Sequence, residues 1–380
     1  MEWKTVKLGE VLTIKYGKDC KGLPSGNVPV YGSGGIMNYV NKSLYSQPSV
    51  LIPRLGTLNN ICYVDKPFWT VNTMFWTICD TNESYPKFIY YSICKKDLSS
   101  LNLGSAVPRL TVSAIESISI PLPPLETQHR IAAILSSLDD KIENNNRINR
   151  NLEEQAQALF KSWFVDYEPW GGSMPEDWKE YQLTEFAEII SGYSYKGAEL
   201  LPSEDAMATI KNFDRKGYFK LDGYKEIQIS GRLKNTQILN LFDVIVAHTD
   251  ITQQADIIGN PAIILSKGGY RNIIMSMDLC KVQPTHYAIS SAFLYCLLKD
   301  IRFKSHALGY VNGTTVLHMS KKALPEYRVF LPNDLSKVQE LGDRLQNLYK
   351  RYSINLEESS RLAALRDTLL PKLMRGEITL

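Results

Sequence analysis

Three short segments of this sequence carry side chains that could take part in catalysis. Asp139-Asp140-Lys141 and Asp177-Trp178-Lys179 combine carboxylates with a lysine, as metal-assisted hydrolysis requires. Asn260-Pro261-Ala262-Ile263 approaches the Asn/Asp-Pro-Pro-aromatic loop in which amino-methyltransferases hold a base amine, but it lacks the second proline and the aromatic ring. Each pattern is incomplete or short enough to arise by chance, so the sequence predicts that the chain has no catalytic residues of its own.

Motifs for cofactors, nucleophiles and metals are also incomplete. The sequence has no P-loop, no Gly-x-Gly-x-x-Gly phosphate loop and no Gly-x-Ser-x-Gly nucleophile turn. Gly32-Ser33-Gly34-Gly35 is more typical of a flexible turn than of a phosphate cradle. The six cysteines form no Cys-x-x-Cys pair and no histidines stand at metal-ligand spacing, so neither a metal site nor a disulfide framework is expected.

Other polar side chains are of the types that read nucleic acids. Arginine can donate two hydrogen bonds to guanine and amides can pair with adenine, whereas contacts to phosphate position a protein without reading sequence. For any single residue, a place in a solvated loop or an internal hydrogen bond is the more frequent role. The candidate DNA-contacting residues are Arg54, Thr57, Asn59, Arg109, His248, Thr249, Gln253 and Arg271 for bases, and Lys42, Lys196, Lys211 and Lys234 for phosphates.

The elements that would position these side chains occur twice. Identical residues recur at a spacing of 175 near the start of each copy, and the spacing is 209 near the end, so the second copy carries about 34 extra residues. Between these anchors, the apolar run 50–53 before Arg54 resembles the run 244–247 before His248. The sequence therefore predicts two related modules. The early matches are Trp3, Lys4, Leu8, Glu10, Ile14, Gly17, Lys21 and Gly22 with Trp178, Lys179, Leu183, Glu185, Ile189, Gly192, Lys196 and Gly197; the late ones are residues 104–107 with 313–316 and 122–123 with 331–332.

A long helix is predicted after each module. Residues 126–163 contain no proline or glycine and repeat apolar and amide side chains at helical spacing, which predicts one helix of roughly 60 Å. Its seam follows a heptad pattern, and a matching seam recurs at a spacing of 210. We expect the helices to pair, with Asn145 and Asn355 fixing the register; the alternative is that each helix packs only on its own module. The seam residues are Leu138, Ile142, Asn145, Asn149, Leu152, Ala156, Leu159 and Trp163, and Leu348, Tyr352, Asn355, Ser359, Leu362, Arg366, Leu369 and Leu373.

The expected fold is therefore mixed α/β (α+β), with two pseudo-repeated globules joined by two long antiparallel coiled-coil helices. Within the modules, short strands rich in Val, Ile, Tyr and Thr are expected together with helices near 85–96 and 288–304. Proline and glycine clusters mark the boundaries. The predicted segments are 1–124 for the first module, 125–168 for the central helix, 174–332 for the second module and 333–380 for the C-terminal helix.

Composition limits the classes of protein that remain. A chain of 380 residues that is 44% apolar can bury two ordinary cores. The formal net charge is only +3, from 43 basic and 40 acidic side chains, so a basic surface for nucleic acid can exist only locally. No apolar run approaches the roughly 18 residues of a membrane helix, and free cysteines fit a reducing compartment, so a cytoplasmic protein is expected.

These motifs resemble the specificity subunits of type I restriction-modification systems. The similarity is most specific in the first helical segment and looser inside the modules, and it extends over the whole chain. The second helical segment departs from the family pattern, because residues 334–339 replace its usual Pro-Pro-Leu-x-x-Gln start. The matching segments are IPLPPLETQ at 120–128, IAAILSSLDDKI at 131–142, NLEEQAQALF at 151–160, Trp3-Lys4 with Leu8-Gly9-Glu10, Gly104-Ser105 before Pro108-Arg109-Leu110, and Leu369-Leu370-Pro371-Lys372-Leu373-Met374 before Gly376-Glu377-Ile378.

The resemblance implies a DNA-reading chain without catalysis of its own. Such subunits carry two target-recognition domains that each read one half of an interrupted DNA sequence, and their paired helices dock methyltransferase subunits. The implied partners are double-stranded DNA, two methyltransferase subunits and restriction/translocase subunits. S-adenosylmethionine, ATP and magnesium would be bound by those partners. Two other functions stay open: a helical scaffold that does not read DNA, and a solitary enzyme with an unfamiliar site.

Overall fold

The computed structural model describes residues 3–101, 109–214, 219–252, 254–378 and 380. The chain folds into two compact units, of which unit 1 comprises Met1–Lys141 with Leu362–Leu380 and unit 2 comprises Ile142–Arg361. Both units mix strands with helices, as the sequence predicts. Two long helices, α4 and α7, each begin in one unit and end in the other.

Unit 1 is built on a four-stranded antiparallel sheet in the order β2-β8-β5-β6. A smaller sheet, β4-β3-β7, and the pair β1-β9 complete its strands. The strands are β1 Lys4–Lys7, β2 Leu12–Tyr16, β3 Ser25–Gly32, β4 Gly35–Val40, β5 Ser49–Pro53, β6 Cys62–Val64, β7 Trp69–Thr70, β8 Met74–Cys79 and β9 Ser119–Leu122; the helices are α1 Leu8–Val11, α2 Pro86–Ile93, α3 Val112–Glu116 and the start of α4 Leu125–Phe164.

Unit 2 repeats this arrangement. Its sheet has the order β11-β19-β15-β17, which matches β2-β8-β5-β6 strand for strand, and β10-β22 matches β1-β9. The sheet β13-β12-β18-β14 repeats β4-β3-β7 in its first three strands, and β14 is an addition of the second copy. The strands are β10 Lys179–Gln182, β11 Ala187–Ser191, β12 Ala206–Ala208, β13 Lys225–Glu226, β14 Ile238–Leu239, β15 Val244–Ala247, β16 Thr249–Asp250, β17 Pro261–Ile263, β18 Ile273–Met275, β19 Leu279–Pro284, β20 Val311–Asn312, β21 Leu317–Met319 and β22 Arg328–Leu331; the helices are α5 Ser291–Lys299, α6 Ile301–Leu308 and the start of α7 Ser336–Met374.

One helix packs on each main sheet. In unit 1, α2 buries Phe88, Ile89 and Ile93 with the apolar faces of β2, β5 and β8. In unit 2, α5 is buried along almost its whole length, and its Phe293 is fully buried. Burial of this kind stabilises each side chain by roughly 1.5–3 kcal/mol. Each main sheet therefore has one face covered by a helix.

The helices inside the modules differ in their bounds from the prediction. The segment 288–304 is not one helix, because Asp300 ends α5 in an extended conformation and its carboxylate accepts a bond from the Arg302 amide to start α6. The helix predicted at 85–96 spans only Pro86–Ile93. It begins after the extended Tyr85, because proline disfavours helical geometry in the preceding residue, and it ends with Cys94 as its C-cap.

The two long helices begin in different ways. Gln128 in the first turn of α4 is fully buried, and its Nε2 donates to the carbonyls of Glu83 and Pro123 at 2.9 Å each. Its Oε1 accepts from the Tyr85 amide at 2.8 Å, so one side chain ties the helix start to unit 1. In α7 the equivalent position is the buried Val338, and Asp334 caps the helix through the Ser336 amide instead. The departure of residues 334–339 from the family pattern thus replaces the buried glutamine that ties α4 to its unit with an apolar residue, and α7 has an aspartate contact at its first turn.

Candidate nucleic-acid interface

Each module places a polar residue directly after a central strand. Arg54 follows β5 and His248 follows β15. The Arg54 amide donates at 2.8 Å to the Thr73 carbonyl, just before the neighbouring strand β8, and the His248 amide donates at 2.8 Å to the Asp278 carbonyl, just before the neighbouring strand β19. The carbonyls of Arg54 and His248 then accept bonds from the amides of Leu110 (3.0 Å) and Met319 (2.9 Å). The match between Arg54 and His248 seen in the sequence is therefore a match of backbone hydrogen bonding. We call this region of each module the strand-end site.

A second residue accompanies the first at each strand-end site. Arg109 forms a backbone bridge with Leu55 in unit 1, and His318 forms the equivalent bridge with Thr249 in unit 2. Both side chains are exposed. Sequence reasoning selected Arg109 but missed His318, although the spacing of 209 between the late repeats places these two residues opposite each other.

In unit 1 the strand-end site is built around an aromatic ring. The Arg54 guanidinium lies 5.2 Å from the ring centre of Tyr16, and its Nη1 donates to the Asn72 carbonyl at 3.2 Å. These contacts hold the guanidinium plane while the side chain stays partly exposed. Thr57, three residues after Arg54, is exposed. The Oδ1 of Asn59 accepts a hydrogen bond from the Leu98 amide at 3.2 Å, so the Asn59 side chain already has a structural partner.

In unit 2 the strand-end site is a cleft of about 470 Å³ whose lining includes His248, Lys321, Ser191 and Ser194. Burial lowers the pKa of His248, and the neighbouring His318 and Lys321 lower it further against the opposing effect of Asp278. Lys321 is exposed and was not among the residues predicted from the sequence.

Thr249 differs from its neighbours in this region. Its side chain is buried, and the hydroxyl donates to Asp278 Oδ1 at 3.2 Å. That contact supports the backbone of the site and leaves Thr249 little access to DNA.

The remaining predicted DNA-contacting residues lie on other loops. Arg271 is exposed but its guanidinium bonds to Asp205 at 2.9 and 3.1 Å and to Glu204 at 3.3 Å, and this arginine holds the pKa of the Asp205 carboxyl below its usual value. Its guanidinium is therefore engaged by two carboxylates, and its contact with DNA stays a prediction. Lys42, Lys196, Lys211 and Lys234 are exposed, and Gln253 lies outside the described residues.

The residues with a resemblance to catalytic motifs have structural partners. Asp139 bonds to Arg366 at 2.6 Å and accepts from the Tyr91 hydroxyl at 2.5 Å, both within unit 1. The Asn260 Oδ1 accepts from Lys304 Nζ at 2.8 Å, and Pro261–Ile263 form the buried strand β17. Across the described ranges, no group of three or more His, Cys, Asp or Glu side chains could hold a metal ion, and no helix has the length and hydropathy to cross a membrane.

The middle of the helix pair contains a polar layer within unit 2. Asn145 is almost fully buried, and its Nδ2 donates to Glu358 Oε2 at 2.7 Å and to Ser359 Oγ at 3.3 Å. Asn355 donates to Asn149 Oδ1 at 2.9 Å. Asn145 thus contacts Glu358, and Asn149, which is later in α4, contacts Asn355, which is earlier in α7. The two helices therefore run antiparallel here. The other seam residues are buried or half-buried: Leu138, Ile142, Leu152, Ala156, Leu159, Trp163, Leu348, Tyr352, Leu362, Arg366, Leu369 and Leu373.

Removing the amide of this layer should weaken the helix pair. We expect Asn145→Ala to lower the free energy of unfolding by about 1–3 kcal/mol, because Glu358 and Ser359 lose a buried hydrogen-bond donor. Urea unfolding followed by circular dichroism measures this loss. Asn151→Ala, at an exposed position of the same helix, is the matched control, and an equal loss in both variants would contradict a role for the polar layer.

Comparison with known proteins places this architecture in one family. The family model described as type I restriction modification DNA specificity domain matches residues 1–154 and 175–365, one copy for each module. The chain is 24% identical to the MjaIX specificity subunit of Methanocaldococcus jannaschii, with 92% of this chain and 83% of that protein covered. It is 23% identical to the HindI specificity subunit of Haemophilus influenzae, with 99% and 100% covered.

A solved structure supports the fold. The type I restriction-modification S subunit from M. genitalium superposes with a TM-score of 0.65 at 19% identity, covering 98% of this chain and 96% of that one. The duplicated sheets, the long helices and the two matches to the family model together show that the chain belongs to the type I restriction modification DNA specificity family.

Proposed function

We propose that this chain is the DNA-specificity subunit of a type I restriction-modification complex, in which each module reads one half of a bipartite target. The observation that carries the proposal is the duplicated strand-end site, where equal backbone geometry presents different side chains in the two modules. A protein that reads two unequal half-sites needs this combination, because the scaffold has to be repeated while the contacts have to differ. Membership of the specificity family supports the same conclusion.

The chemistry of the complex is assigned to other subunits. Asp139 and Asn260 already hold structural hydrogen bonds, which supports a non-catalytic role for this chain. Adenine methylation would use S-adenosylmethionine in methyltransferase subunits, and DNA translocation and cutting would use ATP and magnesium in restriction subunits. The paired helices are the proposed docking surface for two methyltransferase subunits, because each helix buries one side and leaves charged side chains exposed on the other. The proposed segments are 1–124, 125–168, 174–332 and 333–380.

The first experiment is to express this chain together with its methyltransferase subunit in a host that lacks both, and to map adenine methylation across the genome. Methylation of one interrupted motif that requires this chain is the expected result. A stable complex that methylates without sequence preference would instead support the helical scaffold. Turnover of DNA by the isolated chain with S-adenosylmethionine or magnesium would point to a solitary enzyme.

Helix length provides a second test. One heptad inserted after Asn146 in α4, with a matching heptad in the antiparallel region of α7, adds about 10 Å to both helices, or about three base pairs of DNA. We expect the unread gap of the methylated motif to lengthen while both half-sites keep their sequence. Methylation mapping of the variant complex measures both quantities, and a changed half-site with an unchanged gap would contradict a spacing role for the helices.

A further inference from the structure

The strand-end sites differ between the modules at the positions that face outward. At the position after the central strand, Arg54 in unit 1 corresponds to His248 in unit 2. At the bridged position, Arg109 corresponds to His318. Neither substitution alters the backbone hydrogen bonds, so the scaffold does not require a particular side chain at either place. Side chains that are rich in hydrogen-bond donors, at positions where the backbone bonding allows the residue type to vary, are suited to contact a ligand.

A third position changes the shape of the site. Tyr16 pairs with Phe75 at the end of β2, and the equivalent pair in unit 2 is Ser191 with Cys280. In unit 1 the tyrosine ring lies under the Arg54 guanidinium. In unit 2 the smaller Ser191 leaves the cleft of about 470 Å³. At equivalent strand ends, unit 1 thus presents an arginine stacked on a tyrosine ring, and unit 2 presents a cleft lined by a histidine and a lysine.

The hydrogen-bond donors of the unit 2 site favour an electron-rich partner. His318 and Lys321 lie near enough to His248 to disfavour its protonation, and Asp278 is the carboxylate that opposes them. Asp278 is already engaged, because it accepts from the Thr249 hydroxyl. In the part of unit 2 that the structure describes, no ion pair neutralises Lys321. A ligand group with hydrogen-bond acceptors could therefore bind the donors of Lys321.

We propose that the strand-end side chains are the specificity determinants of the two modules: Arg54 and Arg109 read one half-site, and His248, His318 and Lys321 read the other. The target chemistry is an acceptor-rich base edge in the major groove, which is the edge of guanine with its O6 and N7 atoms. This inference rests on the proposed function, since it assigns residues to the reading of DNA by each module. It predicts a guanine contact in each half-site.

The test uses the assembled methyltransferase complex and two sets of variants. Arg109→Ala, alone or with Arg54→Ala, alters unit 1, and His318→Ala with Lys321→Ala alters unit 2. His286→Ala is the matched control, because it changes a histidine of the same unit at the far end of β19. The strand-end site lies at the Leu279 end of β19, where Leu279 pairs with Ala247, whereas His286 follows the other end, Pro284. The measured quantity is the methylation rate on duplexes in which one base of either half-site is replaced.

Each set of variants should reduce the preference for guanine about tenfold or more at one position, in one half-site only, and the two sets should affect opposite halves. The single variant Lys321→Ala, at an exposed position, keeps the test valid where a double variant fails to assemble. An unchanged preference, or an equal loss at every position of both halves, overturns the inference. A wild-type complex that methylates no bipartite motif contradicts the proposed function itself.

Discussion

Replacement of Glu153 by alanine is expected to lower the free energy of unfolding of unit 2 by about 3–5 kcal/mol, because it leaves a largely buried lysine without its counter-ion. Glu153 is a buried residue of α4, and its Oε1 lies 2.5 Å from Lys299 Nζ on α5. The same oxygen accepts bonds from the Tyr295 hydroxyl and from Gln157 Nε2 at 3.3 Å each. This cluster connects the second half of α4 to the helix that covers the main sheet of unit 2.

The design of the experiment separates the ion pair from the helix itself. Thermal and urea unfolding of Glu153→Ala are compared with Glu154→Ala, an exposed neighbour on the same helix, which should change stability by less than about 0.5 kcal/mol. The double variant Glu153→Ala with Lys299→Met removes both charges and should recover much of the loss. A loss below about 1 kcal/mol in Glu153→Ala would show that water or another group replaces the carboxylate.

The same cluster explains what sequence patterns can and cannot predict in this protein. Periodicity predicts α4 to within one residue at each end and locates α7 through the repeated seam, since a long helix with a heptad seam has a strong local signal. Glu153 lies one position after Leu152 in that seam, where the pattern predicts a polar surface. Its burial depends on Lys299 and Tyr295, which are distant in sequence, so no local pattern shows it.

The strand-end site shows a similar division. The repeat predicts that Arg54 and His248 are equivalent, because both follow an apolar strand. The contribution of Lys321 depends on the cleft that Ser191 leaves open, and the carboxylate partners of Arg271 depend on packing between loops. Residue type alone therefore shows neither the carboxylate partners of Arg271 nor the place of Lys321 in the cleft.

Gly17 and Gly192 are the repeated glycines whose substitution should be most damaging. Neither has a positive φ, so the requirement for glycine comes from a close approach of backbone. A Cβ at Gly17 would overlap the carbonyl oxygen of Val71 and lie 2.6 Å from that of Thr70. A Cβ at Gly192 would overlap the carbonyl oxygen of Ser276. Backbone cannot move aside as a flexible side chain can, because both segments continue into strands of the main sheet.

We expect Gly17→Ala and Gly192→Ala each to destabilise its own unit by about 3 kcal/mol or more, at the upper end of the cost of overpacking. Urea unfolding of the whole chain should show one early transition in each variant and leave the other unit's transition in place. Gly34→Ala and Gly197→Ala are the matched controls in units 1 and 2, because an added Cβ there meets nothing within 4 Å. Equal stability of a variant and its control would contradict the close approach.

The position of Gly17 and Gly192 also predicts an effect of their substitution on DNA reading. Gly17 directly follows Tyr16 and Gly192 directly follows Ser191, so each lies beside the strand-end site of its unit. Under the proposed function, Gly192→Ala should relax reading of the half-site assigned to His318 and Lys321, and Gly17→Ala should relax the opposite half. Methylation mapping with each variant tests this prediction. If both glycine variants affected the same half-site, the result would contradict an independent reading site in each module.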